Sequence, residues 1–124
     1  MPWTQQHMAQ AEHNQALLAH IEPSFRDWRV TVLFYVAVHL VEAFLDPKHS
    51  GDHGDRSRYL WAMRGRPTFD GVGVYGAYCE LFNLSREARY DCICLSEDDE
   101  KDAESALQKI RGYTRWSKCG ERIP

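Results

Sequence analysis

Three polar side chains interrupt an otherwise apolar stretch of the chain at helical spacing. Tyr35, His39 and Glu42 are four and three positions apart, so they share one face of a helix. An imidazole exchanges a proton near neutral pH, and a neighbouring carboxylate or phenol fixes its orientation. The pattern is typical of a general acid–base site, and more often of a core histidine that is hydrogen-bonded to a neighbour.

A second polar group, Arg86, Arg89 and Tyr90, lies near the middle of a later helical pattern. Two guanidinium groups and a phenol could meet the polar face formed by Tyr35, His39 and Glu42. An arginine in that position would stabilise negative charge on a phosphate. The competing interpretation is an Arg–Glu salt bridge across the structure, for instance between Glu42 and an arginine.

Two histidines stand in or beside the turn-rich segment 48–55. His49 and His53 are four positions apart, a spacing that would make a metal pair on a helix. Gly51 and Gly54 indicate a loop instead, and no third or fourth ligand has a fixed position. We therefore predict no metal and no cofactor.

Basic residues at two places in the chain are candidates for substrate binding. The first place is the beginning of a short third helix, which Asp55 is predicted to cap and where His53 and Arg56 are one turn apart. Cations at the end of the last helix either grip phosphates or complement the helix dipole, and the second role is the commoner one. These cations are Lys109, Arg111, Arg115 and Lys118.

The glycines Gly71, Gly73 and Gly76 spell a literal G-x-G-x-x-G. A dinucleotide site needs a buried strand before this motif and a βαβ unit around it, and neither is present in the sequence pattern. We predict that residues 64–76 form a long irregular connection with a flexible glycine loop.

The element that must position these side chains is the apolar run 30–45. As a helix it rises about 1.5 Å per residue, which falls short of a bilayer core of about 30 Å. A helix that is apolar nearly all round must be covered on several sides. The run is therefore predicted to be the central helix of a bundle and not a membrane span.

The remaining periodicity predicts an all-α, up-and-down bundle of four to five helices in one domain, 1–124. A first helix is expected over 4–21, a second opens at Pro23, and a fourth runs over 75–95 and buries Cys92 and Cys94 as small residues. Ser96 is expected to cap the last helix with Asp99 three residues later. Its buried stripe is Ala103, Leu107 and Ile110.

Composition limits the function classes. Hydrophobic content of 44%, charged content of 27% and a net charge of -3 are ordinary for a soluble globular protein. A nucleic-acid partner would have to meet a local basic patch. The first residues lack the pattern of a signal peptide, and four cysteines without an export signal indicate reduced thiols in a cytoplasm.

Three stretches together carry a family resemblance. They are FYVAVHLVEAFL in the central run, HGDR after the turn-rich segment, and YCELFNLSREARYD in the fourth helical pattern. In combination they resemble small bacterial proteins of the HEPN superfamily, over about residues 10–115. The resemblance implies a helical bundle that commonly dimerises, and a role in RNA cleavage, toxin–antitoxin pairs or antiviral defence.

The chain departs from the ribonucleases of that superfamily at their R-x4-6-H motif, because no arginine precedes a histidine at that spacing. Lys48 and His53 have about the spacing, but lysine lacks the bidentate phosphate grip of arginine. The positions that match the resemblance are Tyr35, His39, His53, Arg56, Arg86, Arg89 and Tyr90.

Two functions follow. In the favoured one, the chain binds RNA, a nucleotide or a protein partner without cutting, as a homodimeric module that meets an antitoxin or a defence-complex protein. In the other, it is a metal-independent endoribonuclease with a histidine as general base and an arginine at the phosphorane. The candidate catalytic residues are His39, His53, Arg86, Arg89 and Tyr90. The candidate substrate-binding residues are Tyr35, Arg56, Arg111 and Arg115.

Overall fold

The computed structural model of the chain describes residues 3–43, 51–63 and 71–118, with side chains at 3–43, 51–62 and 73–112. The described residues form helices and their connections, without a strand. The elements are α1 (Trp3–Leu17), a single 3-10 turn (Leu18–His20), α2 (Arg26–Glu42), α3 (His53–Met63), α4 (Gly71–Tyr90) and α5 (Glu97–Lys118). The predicted all-α helical bundle is confirmed.

Helix α2 is the centre of the bundle, as the apolar run predicted. It packs against α1, α4 and α5, and α3 packs against α4. Val30, Val36, Ala37 and Leu40 of α2 are fully buried. The predicted stripe of α5 also lies in the core, where Ala103, Leu107 and Ile110 are buried. No helix within the described ranges is long and apolar enough to cross a membrane.

Reciprocal capping boxes begin two of the helices. At α5 the amide of Asp99 donates to Ser96 Oγ at 3.1 Å and the amide of Ser96 donates to Asp99 Oδ2 at 2.8 Å, as predicted. At α3 the predicted cap was wrong by three positions. Asp52 is the capping residue, and Asp55 is its partner inside the helix, with both amide-to-carboxylate distances at 3.1 Å.

The second helix begins later than predicted. Pro23 lies in the turn between the 3-10 segment and α2, and the helix starts at Arg26. Arg29 explains the late start, because it donates to the carbonyls of Leu18 and Ile21 and so holds the turn in place. The predicted end of this helix at Asp46 and Pro47, like His49 after it, lies outside the described residues.

The glycine segment is helical from Gly71 onward, so the predicted flexible loop was wrong for residues 71–76. Glycine disfavours a helix by about 1 kcal/mol per residue relative to alanine. Here tertiary packing outweighs that preference, because Val74, Ala77 and Tyr78 bury their side chains against the core. Residues 64–70 lie outside the described part of the chain.

Helix α4 ends at Tyr90, about five residues before the predicted end. Cys92 has a left-handed backbone with φ of 52°, which turns the chain out of the helix. Cys92 and Cys94 are exposed, so their predicted burial was wrong. They do not continue the buried stripe of α4 because the helix has already stopped, and Leu95 is the next buried residue.

Candidate functional site

Arg89, in the last turn of α4, is hydrogen-bonded to Ser85, one turn earlier in the same helix. Its Nε donates to the carbonyl of Ser85 and its Nη2 donates to Ser85 Oγ, both at 3.1 Å. Ser85 is fully buried, and its hydroxyl donates to the carbonyl of Phe82 at 2.8 Å. The buried serine therefore fixes the direction in which the guanidinium leaves the helix.

Two phenols complete this arrangement, which we call the Arg89 cluster (Tyr35, Ser85, Arg89 and Tyr90). Arg89 Nη1 donates to the hydroxyl of Tyr35 on α2 at 3.1 Å and to that of Tyr90 at 3.5 Å. The guanidinium carbon lies 4.9 Å from the Tyr90 ring centre and 5.7 Å from that of Tyr35, within cation–π range. Tyr35 is 41% exposed and Tyr90 is 65% exposed, so both rings face solvent beside the half-buried Arg89.

Arg86 extends the positive charge by nearly one turn along α4. Its guanidinium lies 5.9 Å from the ring centre of Phe82. Every other arginine whose side chain is described is paired with a carboxylate: Arg26 and Arg29 with Glu100, Arg56 with Glu42, Arg58 with Asp55 and Arg111 with Glu12. Arg86 and Arg89 have no such partner among the described residues. They form a local positive patch on a chain whose net charge is -3.

His53, at the beginning of α3, lies beside this patch. Its ring is stacked on Phe82 with 3.4 Å between ring centres, and its Nδ1 lies 3.1 Å from the hydroxyl of Tyr78. Burial, and after it the positive charge of Arg56, lower the pKa of His53, and Arg86 lowers it further. The imidazole is therefore neutral at neutral pH.

The hydroxyl of Tyr78 is the hydrogen-bond partner of His53 Nδ1. Burial raises the pKa of the Tyr78 phenol, so the hydroxyl keeps its proton. Because it accepts from Arg56 Nε at 2.8 Å, its own hydrogen is free to point at His53 Nδ1. In that arrangement Nδ1 accepts from Tyr78 and Nε2 carries the imidazole hydrogen; in the other tautomer Nδ1 donates to Tyr78 and Nε2 has the free lone pair.

Glu42 forms a salt bridge with Arg56 of α3, whereas the competing interpretation of the sequence concerned Arg86 and Arg89 of α4. Arg56 Nη1 lies 3.1 Å from Glu42 Oε1, and the same nitrogen donates to the carbonyl of Gly51 at 2.8 Å. Burial alone would lower the pKa of Arg56, but hydrogen bonds to Tyr78 and Glu42 outweigh it and raise the pKa above its usual value. Arg56 is thus a charged, largely buried side chain that links α3 to Glu42 of α2 and Tyr78 of α4.

His39 is engaged by helix α1. Its Nδ1 lies 2.9 Å from Nδ1 of His7, so one ring donates and the other accepts. Burial lowers the pKa of His39, the neighbouring His7 lowers it further, and Glu42 opposes both. Two further bonds close the junction, because the Trp3 indole donates to the carbonyl of Glu42 and the Thr4 hydroxyl to that of Ala43.

The predicted site residues with described side chains therefore fall into four sets. Tyr35, Arg89 and Tyr90 meet in the Arg89 cluster, with Arg86 adjacent on the same helix. His53 and Arg56 meet at Tyr78, while His39 pairs with His7 one helical turn beyond Tyr35 on α2. Arg111 instead ties α5 to α1, where it donates to Gln15 Oε1 at 2.7 Å and meets Glu12 at 3.5 Å. The side chain of Arg115 lies outside the described part of the structure.

Sequence reasoning did not select Tyr78, Ser85 or His7 as site residues. Tyr78 and Ser85 are seven positions apart on α4 and share its buried face, so as polar members of an apolar stripe they carried a usable signal. His7 carried none, because only the packing of α1 on α2 brings it to His39. Within the described residues, no three histidine, cysteine, aspartate or glutamate side chains converge to hold a metal ion.

No protein-family model, no curated protein and no solved structure matches the chain.

Proposed function

We propose that this chain is a HEPN-like helical module of a prokaryotic defence or toxin–antitoxin system that binds RNA without cutting it. The family and the biological setting rest on the sequence resemblance. The observation that supports RNA binding is the pair Arg86 and Arg89, which have no carboxylate partner among the described residues. Arg89 also lies beside the exposed rings of Tyr35 and Tyr90.

The chemistry of the Arg89 cluster suits a single strand. A guanidinium attracts phosphate, and exposed aromatic rings stack on unpaired bases regardless of sequence. Tyr35 and Tyr90 flank the cation, so a strand that contacts Arg89 passes over both rings. The local patch accounts for binding by a chain that is acidic overall, because attraction to a nearby phosphate depends on the charges at the contact.

Cleavage would require a general base near this patch. Nδ1 of His53 is engaged by the Tyr78 hydroxyl, and Nδ1 of His39 is engaged by His7. Neither histidine therefore offers Nδ1 to a substrate. Together with the missing R-x4-6-H motif, these contacts support binding over catalysis.

One observation favours the second candidate, a metal-independent endoribonuclease. His53 is neutral and lies close enough to Arg86 for the cation to lower its pKa. A rotation of Tyr78 away from Nδ1 would free that nitrogen as a base beside an arginine that stabilises the phosphorane. His39 lies farther along α2 and has no described contact with Arg86 or Arg89.

Fluorescence anisotropy with an end-labelled single-stranded RNA tests the proposal. We expect binding that weakens with salt, and Arg89→Gln should reduce the slope of log affinity against log salt by about 0.7, the value for one phosphate contact on a single strand. Arg86→Gln should do the same. Arg58→Gln is the matched control, because Arg58 is exposed on α3 and already paired with Asp55.

The same samples distinguish the two candidates. After incubation in a chelator, we expect the RNA to remain intact with the wild-type chain. Cleavage that disappears in His53→Asn would support the endoribonuclease instead. Absence of binding by the wild-type chain, or equal salt slopes in wild type and Arg89→Gln, would contradict the proposed function.

We also propose a homodimer, as the resemblance implies. Large apolar side chains are exposed within the described surface, among them Leu17 and Phe25. Light scattering should give the mass of two chains, and a monomer mass at working concentration would contradict this part of the proposal.

A further inference from the structure

A cavity of about 350 Å³ opens beside the Arg89 cluster, between the first turns of α2 and the end of α4. We call it the Trp28 pocket. Its lining consists of Asp27, Trp28 and Thr31 from α2, and Ala88, Arg89 and Tyr90 from α4. This volume lies at the small end of the range for ligand pockets, which suits one base with its sugar and not a longer segment.

Two of the lining side chains are large aromatic groups that the bundle leaves uncovered. Trp28 is 58% exposed and Tyr90 is 65% exposed. They come from different helices and line the same opening. Exposed rings on a pocket wall are the usual platform for an unpaired nucleobase, and stacking on such a ring contributes substantially to binding.

The polar groups on the α2 side of the pocket are acceptors. Asp27 has no ion pair among the described residues, because the neighbouring Arg26 and Arg29 are both taken by Glu100. The hydroxyl hydrogen of Thr31 is used on the carbonyl of Asp27 at 2.8 Å. Thr31 Oγ and the Asp27 carboxylate therefore present lone pairs to a ligand, and the cation of Arg89 lies on the opposite helix.

Acceptors of this kind select a base by its donors. A carboxylate has two oxygens that accept side by side. Guanine offers two donors in line on its Watson–Crick edge, the N1 hydrogen and the N2 amino group. The other bases offer a single amino or imino donor there, and uracil offers no amino group.

We propose that the Trp28 pocket binds one unpaired guanine, stacked against Trp28 and Tyr90 with its Watson–Crick edge on Asp27. This inference rests on the proposed RNA-binding function and adds a base preference to it. Arg89 lies at the boundary between the pocket and the strand, where it meets the phosphate of the same nucleotide.

Three short oligouridines test the base preference, with a single guanosine, inosine or adenosine at the centre. Inosine differs from guanosine only in lacking the N2 amino group. We expect the guanosine strand to bind about tenfold more tightly than the inosine strand, as for one bidentate contact. Asp27→Asn should remove this difference, so that the guanosine and inosine strands bind with equal affinity.

Stacking is tested on the aromatic wall. Trp28→Leu should weaken binding of the guanosine strand by about tenfold. Trp28→Phe keeps a flat ring and should retain most of the affinity, which separates stacking from any effect on folding. Trp61→Leu is the matched control, because Trp61 is an exposed tryptophan on α3 away from the pocket lining.

Each contrary result identifies which inference fails. Equal affinity for the guanosine and inosine strands, together with wild-type binding by Trp28→Leu, would overturn the pocket assignment and leave Arg89-dependent RNA binding standing. Failure of the wild-type chain to bind any of the strands would overturn both. A change from dimer to monomer mass in Trp28→Leu with RNA affinity unchanged would identify the pocket as a protein interface and overturn the guanine assignment.

Discussion

Arg89 Nη1 on α4 lies 3.1 Å from the phenol oxygen of Tyr35 on α2, which joins the end of one helix to the middle of the other. The same guanidinium is bonded to the backbone and hydroxyl of Ser85. A cation held at both ends loses little freedom when a phosphate arrives, so it binds more effectively than a mobile one. This preorganisation is the physical basis of the proposed RNA contact.

The role of Ser85 as a positioning residue is separable from the charge it positions. Ser85→Ala should weaken RNA binding several-fold while the salt slope stays as in wild type, because Arg89 keeps its charge. Loss of a buried hydrogen bond should also lower the free energy of unfolding by about 1 kcal/mol. Anisotropy and urea unfolding measure the two effects, with Ser105→Ala on the exposed side of α5 as the control. A reduced salt slope in Ser85→Ala would contradict a purely positioning role.

The Glu42–Arg56 pair should be critical for stability. The side chains retain only 5% and 12% of their exposure, and Glu42→Gln leaves the Arg56 charge buried without its counter-charge. We expect the free energy of unfolding to fall by about 3 kcal/mol, measured in urea. Glu97→Gln removes an exposed pair with Lys101 at 3.8 Å and should change little. Equal effects of the two substitutions would contradict the structural role of Arg56.

Acid should weaken the bundle through two half-buried histidines, His39 and His53. The pKa values of His39 and His53 are both lowered from about 6.5, chiefly by burial. The unfolded chain therefore binds more protons than the folded one just below that pH, and stability falls as the pH drops through this window. Thermal unfolding across mildly acid to neutral pH should show this loss.

Replacing a half-buried histidine should reduce the pH dependence of thermal unfolding, and replacing an exposed one should not. His39→Gln should flatten the curve, because it removes a group that resists protonation beside His7. His13→Gln, on the exposed side of α1, should leave the curve as in wild type. A wild-type curve in His39→Gln would contradict the assignment.

The turn after α4 stores strain at Cys92. A β-carbon at φ of 52° costs roughly 1–2 kcal/mol relative to ordinary backbone, and glycine avoids the clash. Cys92→Gly should therefore raise the free energy of unfolding by about 0.5–1 kcal/mol, after allowing for the greater freedom of glycine in the unfolded chain. Cys94→Gly is the control and should be neutral or slightly destabilising, since Cys94 lacks the positive φ. Urea unfolding under reducing conditions measures both.

Local signals in the sequence were enough to predict much of the fold. The Ser96–Asp99 capping box and the buried stripe of α5 depend on residues three or four positions apart, and both were predicted. The same reasoning failed at Gly71, Gly73 and Gly76, because burial of their neighbours outweighs the weak helix propensity of glycine. It also failed at Cys92, where a left-handed residue other than glycine leaves no compositional signal.

The site was harder to predict because its contacts are distant in sequence. Tyr35 and Arg89 are both in the stretches that carried the resemblance, but their meeting depends on the packing of α2 on α4. The bond from His53 to Tyr78 depends on the placement of α3. The engagement of His53 Nδ1 by a buried phenol therefore became evident only from three-dimensional geometry.

Chemical-shift mapping of the isotope-labelled chain with a short single-stranded RNA tests the central claim most directly. We expect the backbone amide signals of residues 27–35 and 85–90 to shift together as RNA is added, and those of residues 97–110 on α5 to stay in place. Arg89→Gln should suppress the shifts in both affected segments. Shifts concentrated on α5, or no shifts at RNA concentrations far above that of the protein, would contradict an RNA-binding face between α2 and α4.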